Sequence, residues 1–281
     1  MFRRRRPSSP SSPRPAPARD WRGYDGVAEA YTRTREPLHE APARDLVAAV
    51  DPPPGGRMLD VGTGPGVAAR AGAEVVGAGG LVIGVDRSVE MLRRARAGGV
   101  RAAAADAIDL PFRDATFDAV TGSFVILLFT NYRTAVFDML RVLRPGGRLG
   151  VSTWGASEDE FRRTWREVAE SFVGRDLLRD AQRRAAPWEE RFADPARLEE
   201  ALRDAGLRPV RVERREYRFT HTIEEYLVGR DVSVHGRFVQ HMLGESLWPR
   251  FRTQVEERFR ERFAEPIGDT AEVILGVGTK P

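Results

Sequence analysis

Five short apolar runs punctuate the first half of the chain: "RMLDV" (57–61), "GLVIGVD" (80–86), "GVRAAAAD" (99–106), "FDAVTGSF" (117–124) and "GRLGVST" (147–153). Each is bounded by glycine, proline or aspartate, and each is short and apolar enough to be a buried strand. Helical stretches lie between them. Ser88 is placed to cap a helix carrying Met91 and Leu92, and Val136, Phe137, Leu140 and Leu143 recur at one-face spacing before "RPGG" stops the helix. Strands alternating with helices in this way predict a parallel sheet covered by helices on both faces.

Beyond residue 155 the pattern loosens. Phe161, Trp165, Val168 and Phe172 form a helical stripe, and Asp194, Pro195, Leu198, Leu202 and Gly206 spell a helix from its N-cap to its C-terminal glycine. Two further strands, "RPVRVER" (208–214) and "AEVILGVGT" (271–279), bracket a polar helical insertion. Inside it Thr222 and Glu225 have capping-box spacing, and Phe251, Val255, Phe259 and Phe263 fall four apart on one helical face. That stripe suits a core and also suits the lining of an aromatic pocket with Trp154 and Phe124.

Charge changes the picture only at the amino end. The 281 residues carry a net +4, but residues 1–20 hold six arginines against Asp20 alone, so the remaining 39 basic and 40 acidic side chains nearly cancel. A near-neutral body does not suit a large nucleic acid, whose phosphates demand a basic face. Five prolines and four serines among residues 1–20 predict a disordered tail, because such a composition has little apolar area to bury. No apolar stretch follows the arginines and no run is long enough to span a bilayer, so a cytoplasmic protein without a membrane partner is expected. The absence of cysteine excludes disulfides, thiolate metal sites and cysteine nucleophiles, and no metal site is expected.

The most informative segment is "LDVGTGPG" (59–66), which follows the first strand and opens into a helix. Glycines there let a ligand approach the backbone closely. A dinucleotide fingerprint would place its third glycine where Val67 stands, and no lysine followed by Ser or Thr completes a phosphate loop. What remains is an acid at the strand end, Asp60, then Gly62, Gly64 and Gly66 in alternation.

With "GVDRS" closing the second strand, "AD" at 105–106, "FDAV" at 117–120 and "RVLRPGG" at 141–147, the chain closely resembles the class I S-adenosylmethionine-dependent methyltransferases. It is most similar to the ubiquinone and menaquinone C-methyltransferase branch, whose first helix often begins like "YDGVAEAY" (24–31). The resemblance covers residues 21 to about 155. It implies an α/β fold: a Rossmann-like, doubly wound sheet of about seven strands, mostly parallel with an antiparallel last strand, and a helical cap inserted before that strand. Residues 21–281 would form a single domain, with 57–155 binding S-adenosyl-L-methionine and 222–264 capping the substrate. A carboxylate at the tip of strand two, Asp86, can accept from both ribose hydroxyls. By resemblance Asp106 would meet the adenine amino group and the Ala107 amide a ring nitrogen, with Arg87 and Met91 flanking the base. Backbone groups of Gly62 and Ser123 would hold the methionine moiety, with Asp60 in a supporting network and Tyr31 closing over it. Read without the resemblance, Asp60 and Asp86 also suit ordinary strand-end caps.

Methyl transfer needs alignment, and a general base only where the acceptor must lose a proton. The histidines are His39, His221, His235 and His241; His235 and His241 fall in the insertion and are the candidate catalytic residues. Cytosine C5 methylation would need a cysteine. The Asn/Asp-Pro-Pro-aromatic motif that holds an exocyclic amine is replaced by "GSFV" (122–125), which argues against adenine and glutamine N-methylation. A small organic acceptor such as a phenol, quinone or polyketide-like compound of secondary metabolism is the expected partner, in an oligomeric state the sequence leaves open. The alternative is a cofactor-binding scaffold or sensor, or a cyclase, on the same fold. Removal of residues 1–20 is expected to leave the melting temperature within a degree or so of the full chain, because so little apolar area is at stake; a marked drop by calorimetry would show that the tail docks.

Overall fold

In a computed structural model that describes residues 20–156 and 158–281, seven strands build one sheet. In chain order they are β1 (Arg57–Val61), β2 (Leu81–Asp86), β3 (Arg101–Ala104), β4 (Phe117–Ser123), β5 (Leu143–Trp154), β6 (Val210–His221) and β7 (Ile267–Thr279). They hydrogen-bond in the order β3-β2-β1-β4-β5-β7-β6, parallel from β3 to β5, with β7 antiparallel to both its neighbours. The expected doubly wound sheet with an antiparallel last strand is what the chain forms. The order reverses between β1 and β4, and in open α/β sheets ligands bind outside the strand carboxyl ends at such a switch point.

The central strands form because they are apolar on both faces. Leu59, Val61, Phe117, Val120 and Leu149 are buried against α4 (Tyr132–Val142), α7 (Glu189–Phe192) and α8 (Pro195–Asp204). Met58, Val82 and Ala119 are buried on the opposite side, under α1 (Ala28–Val50), α2 (Val67–Val76) and α3 (Val89–Ala97). Ser88 caps α3 by accepting from the Met91 amide at 3.2 Å, and α8 runs from Asp194 to Gly206, whose φ of 100° turns the chain out. One helix face differs from its pattern. Phe137 stands 69% exposed, and Met139 takes its place in the core beside Val136, Leu140 and Leu143.

β5 begins at Leu143 rather than Gly147, because "LRPGG" runs alongside β4 through a bulge before regular pairing starts at Arg148. β6 and β7 pair over twelve positions, from Val210 with Gly278 to His221 with Ile267, and so extend beyond both expected runs. The insertion between them folds as α9 (Ile223–Asp231) and α10 (Val234–Arg262), the latter broken at Gly244, and the Thr222–Glu225 capping box starts α9. Its core is shared. Trp165 and Val168 of α5 (Glu160–Val173) and Leu178 of α6 (Arg175–Ala185) pack with Tyr226, Phe238, Phe251, Val255 and Phe259, so the helical layer is larger than 222–264. Among the described residues no helix is long and apolar enough to cross a membrane.

Lys280, the sole lysine, closes the carboxyl end of α4. Its ammonium donates to the Leu140 and Leu143 carbonyls at 2.7 and 2.8 Å, where the helix leaves acceptors unfilled. Lys280→Met should therefore lower the unfolding free energy by about 1–2 kcal/mol, read as an earlier urea midpoint at unchanged slope; an unshifted midpoint would mean that water replaces the ammonium at no cost.

Candidate active site

The glycine loop leaves β1 in a left-handed path, with φ of 70° at Gly62, 52° at Gly64 and 97° at Gly66, a region that side chains with a Cβ rarely occupy. A Cβ on Gly62 would stand 2.4 Å from Val125 Cγ2, whereas one on Gly64 would meet nothing within 4 Å. The loop is thus packed behind and open in front. Asp86, at the tip of β2, accepts the Gly64 amide on one carboxylate oxygen and the Ser88 amide on the other, each at 2.8 Å. Burial raises its pKa against the pull of those amides. Ser88 in turn donates to Asp25 at 2.6 Å, which ties the turn before α1 to the end of β2. Sequence reading passed over Asp25.

Asp60 is fully buried. Thr121 donates to one of its oxygens at 2.8 Å, and burial pushes its pKa up to about 6 against the pull of Thr63, Thr121 and the Ala69 amide. Arg87 and Asp106 face one another at 3.6 Å on the surface, while Met91 and Ala107 are buried beside them. Ser123 ends β4 with its hydroxyl 3.3 Å from that of Ser152. The expected cofactor residues thereby lie at or just after the carboxyl ends of β1, β2, β3 and β4, with Tyr31 on α1.

A cavity of about 180 Å³ opens between the carboxyl ends of β4 and β5 and the helical layer. Tyr31, Arg35 and His39, four residues apart on α1, form one wall, and Phe124 and Trp154 form the floor. Arg162, Gln182 and Glu189 come from α5, α6 and α7; Tyr226, Arg230 and His235 come from α9 and the start of α10. The Phe124 and Trp154 rings stack with centroids 4.1 Å apart, and the His39 ring meets Phe124 at 4.8 Å. Phe124 holds a φ of 52°, a strained conformation for a bulky residue, and its amide is fixed by Ser152. The Tyr31 hydroxyl and His39 Nε2 are hydrogen-bonded at 3.1 Å.

Burial pushes the pKa of both His39 and His235 down to about 3, helped by Arg35 at the first and Arg230 at the second, so both rings are neutral at pH 7 and weak as bases. His241 has no place in the cavity. It stands exposed on α10, roughly 240° around the helix from His235, so the expectation that it is catalytic finds no geometric support. Arg35, Arg162 and Glu189 were not singled out from sequence, although the four-residue spacing of Tyr31, Arg35 and His39 marks a shared helix face. A separate hollow of about 350 Å³, lined by Arg214, Glu216, Glu158, Thr270 and Glu272 among others, lies over the β6–β7 edge, away from the glycine loop.

A switch-point glycine loop, a carboxylate at the tip of β2 and a covered cavity beyond them define a class I methyltransferase fold. Residues 59–151 match the family described as a methyltransferase domain. Nocamycin O-methyltransferase of Saccharothrix syringae is 32% identical over 73% of this chain and 78% of its own length, and the demethylmenaquinone methyltransferase of Clavibacter sepedonicus is 32% identical over 66% and 81%. Solved structures share the fold. A putative methyltransferase from Bacillus halodurans has a TM-score of 0.54 at 20% identity, covering 86% of this chain and 99% of its own. Phosphoethanolamine N-methyltransferase 2 of Haemonchus contortus, solved with S-adenosyl-L-methionine, has a TM-score of 0.57 at 20% identity, covering 94% and 61%. The chain belongs to the S-adenosylmethionine-dependent methyltransferases.

Asp60 gives this site a pH signature. The unfolded carboxyl titrates near its ordinary ~3.9 and the folded one at about 6, so the native chain holds an extra proton between those values. The stabilisation by the protonated form is complete below the unfolded pKa and is lost as pH rises through about 6. Against Asp60→Asn, the wild type should therefore lose at most about 3 kcal/mol of relative unfolding free energy between pH 4 and 7 in urea titrations; a difference that stays flat would mean the carboxyl is ionised throughout.

Proposed function

We propose that this chain transfers a methyl group from S-adenosylmethionine to a small organic acceptor of secondary metabolism held in the cavity under the helical layer. The observation that carries the reading is the position of Tyr31, which lines the cavity and also lies within electrostatic reach of Asp86. Acceptor space and nucleotide space thus share a wall. The relatives named for O-methylation of nocamycin and for methylation of demethylmenaquinone support an acceptor of this kind.

The residues present fit the cofactor. The open face of Gly64 leaves room for a close approach, and each oxygen of Asp86 keeps lone pairs beyond the single amide it accepts, enough for two ribose hydroxyls. The Gly62 amide is committed to the Val85 carbonyl, so its own carbonyl is the group to turn toward an ammonium, with Asp60 and Ser123 nearby in the strand ends. Asp106, the Ala107 amide, Arg87 and Met91 would hold the adenine, and Gly66 lets the loop pass into α2. The cofactor supplies a methyl group already activated on a sulfonium. The chain has to align the acceptor against it and keep water out, and alignment of that kind is worth up to about 7–11 kcal/mol. Tyr31 keeps its proton, because burial raises its pKa, and it closes the wall between the two spaces as a hydrogen-bonding hydroxyl. His235, neutral and a weak base in the cavity wall, would serve the acceptor as a hydrogen-bonding group, so that alignment carries the rate.

Incubation with methyl-labelled donor and a small-molecule extract, followed by mass spectrometry, should give a labelled low-mass product. In calorimetry Asp86→Ala should bind S-adenosylhomocysteine at least ~10-fold more weakly, since two charge-assisted hydrogen bonds are removed. Normal affinity without any labelled product would leave a binding protein in place of an enzyme, and unchanged affinity in the variant would overturn the placement of the ribose.

A further inference from the structure

Three guanidiniums line the acceptor cavity, those of Arg35, Arg162 and Arg230, against two carboxylates, Glu189 and Asp269. Arg162 is paired with Asp159 at 3.4 Å, which leaves Arg35 and Arg230 to account for. Asp269 is engaged by His221 at 3.2 Å, and burial raises the pKa of Glu189 against the pull of Arg162 and Arg230 nearby. Arg230 stacks over the Trp165 ring at 4.7 Å, and its Nε is shut off from solvent with no hydrogen-bond partner among the described residues. Arg35 lies over Trp154 at 5.9 Å. Among the described residues neither Arg230 nor Arg35 stands within ion-pair distance of a carboxylate. The Tyr226 hydroxyl is also buried without a partner, and because burial raises its pKa it keeps its proton as a donor. Taking a guanidinium out of water without a paired counter-charge is strongly unfavourable, and at Arg230 repulsion from Arg162 and Arg35 adds to that cost while the more distant Asp159 offsets part of it.

We infer that the acceptor is an organic anion, with an ionised carboxyl or comparably acidic oxygen docked between Arg230 and Arg35 and hydrogen-bonded by Tyr226. The inference rests on the methyltransferase reading for the identity of the occupant, but the anion site itself stands on the side chains of the cavity. The aromatic floor of Phe124 and Trp154 accommodates a flat body attached to the acidic group. A planar guanidinium offers two parallel donors to such a group, so geometry as well as charge selects it. Arg35 and Arg230 are thereby specificity residues, which hold the acceptor from α1 and from the cap while the nucleotide site lies beyond Tyr31.

Benzoate and benzamide are matched probes of this site, nearly equal in shape and opposed in charge. In calorimetric titrations of the full chain saturated with S-adenosylhomocysteine, benzoate should bind at least ~10-fold more tightly than benzamide, and Arg230→Gln and Arg35→Gln should each erase that preference. Arg230→Lys should restore part of it. S-adenosylhomocysteine affinity, measured on the same variants, should stay within about twofold of the wild type, because nothing in the nucleotide site has changed. Equal affinity for the two probes, no benzoate binding at millimolar concentration, or a preference that survives both glutamine variants would overturn the anion site. Failure of S-adenosylhomocysteine to bind the wild type would instead count against the methyltransferase reading and leave the probe comparison to decide the anion site by itself.

Discussion

The carboxylate of Asp86 is the point on which the cofactor half of this molecule depends. It sits at the tip of β2, largely removed from water, and it draws one amide from the glycine loop and one from the start of α3. Each bond fixes a segment with few other constraints. Gly64 has no side chain to pack, and the amides at the start of α3 have no partners within their own helix. Ser88 passes the constraint on to Asp25, whose carboxylate also lies 3.2 Å from the Glu90 amide. Two pieces of chain remote in sequence, the glycine loop and the turn before α1, thus converge on one short stretch at the end of β2. Burial works against the charge while the amides favour it, so the group is held ready for hydroxyl donors and poorly compensated without them.

Helix α1 carries that order across to the acceptor side. Its Glu36 is paired with Arg70 of α2, and its Asp45 accepts from Tyr217 at 2.6 Å and pairs with Arg215 at 2.7 Å, both on β6. The helix is thereby anchored near the nucleotide at one end and to the far edge of the sheet at the other. On the same helix Tyr31 and Arg35, just before the first anchor, and His39, between the two, face the cavity. Further contact comes from the cap, where Arg237 covers the Tyr24 ring at 4.2 Å and donates to the Gly23 carbonyl at 3.0 Å. A reaction that depends on alignment benefits when both reactants lean on the same rigid element.

How far this was legible in the sequence follows from what each segment packs against. β1, β2, β4 and the core of β5 were readable because strands buried on both faces leave continuous apolar runs. The caps at Ser88, Asp194 and Thr222 were readable because capping chemistry is local. β6 was half-hidden: it is the edge strand, and "VERREYRFTH" alternates charged and aromatic residues on faces that are only partly covered, so the run expected to end at Arg214 continues to His221. The start of β5 was masked by "RPGG", which reads as a stop and is in fact a bulged lead-in. The glycine loop and Asp86 were visible as a contiguous motif. The cavity was not, because its polar side chains arrive from six helices spread along the chain, α1, α5, α6, α7, α9 and α10. Burial then decides their chemistry: His235 and His241 are the same residue type six positions apart, one neutral in a cavity wall and the other in water.

The choice of arginine in that cavity has a physical logic that goes beyond charge. Forty-four of the 45 basic side chains are arginine, and the single lysine is spent on the end of α4, so composition alone does not explain which arginines are buried. The two in the cavity wall lie over aromatic rings, Arg230 over Trp165 at 4.7 Å and Arg35 over Trp154 at 5.9 Å. A weakly hydrated, delocalised guanidinium tolerates that setting better than an ammonium, and the ring faces offset part of the desolvation while leaving its N–H edge free to donate. It also stays protonated where a buried lysine would lose its charge. Water exclusion, which methyl transfer requires, and charge retention, which recognition of an anion requires, usually oppose each other. A guanidinium stacked on indole reconciles them, and the same two tryptophans supply the apolar floor and the packing of the cap.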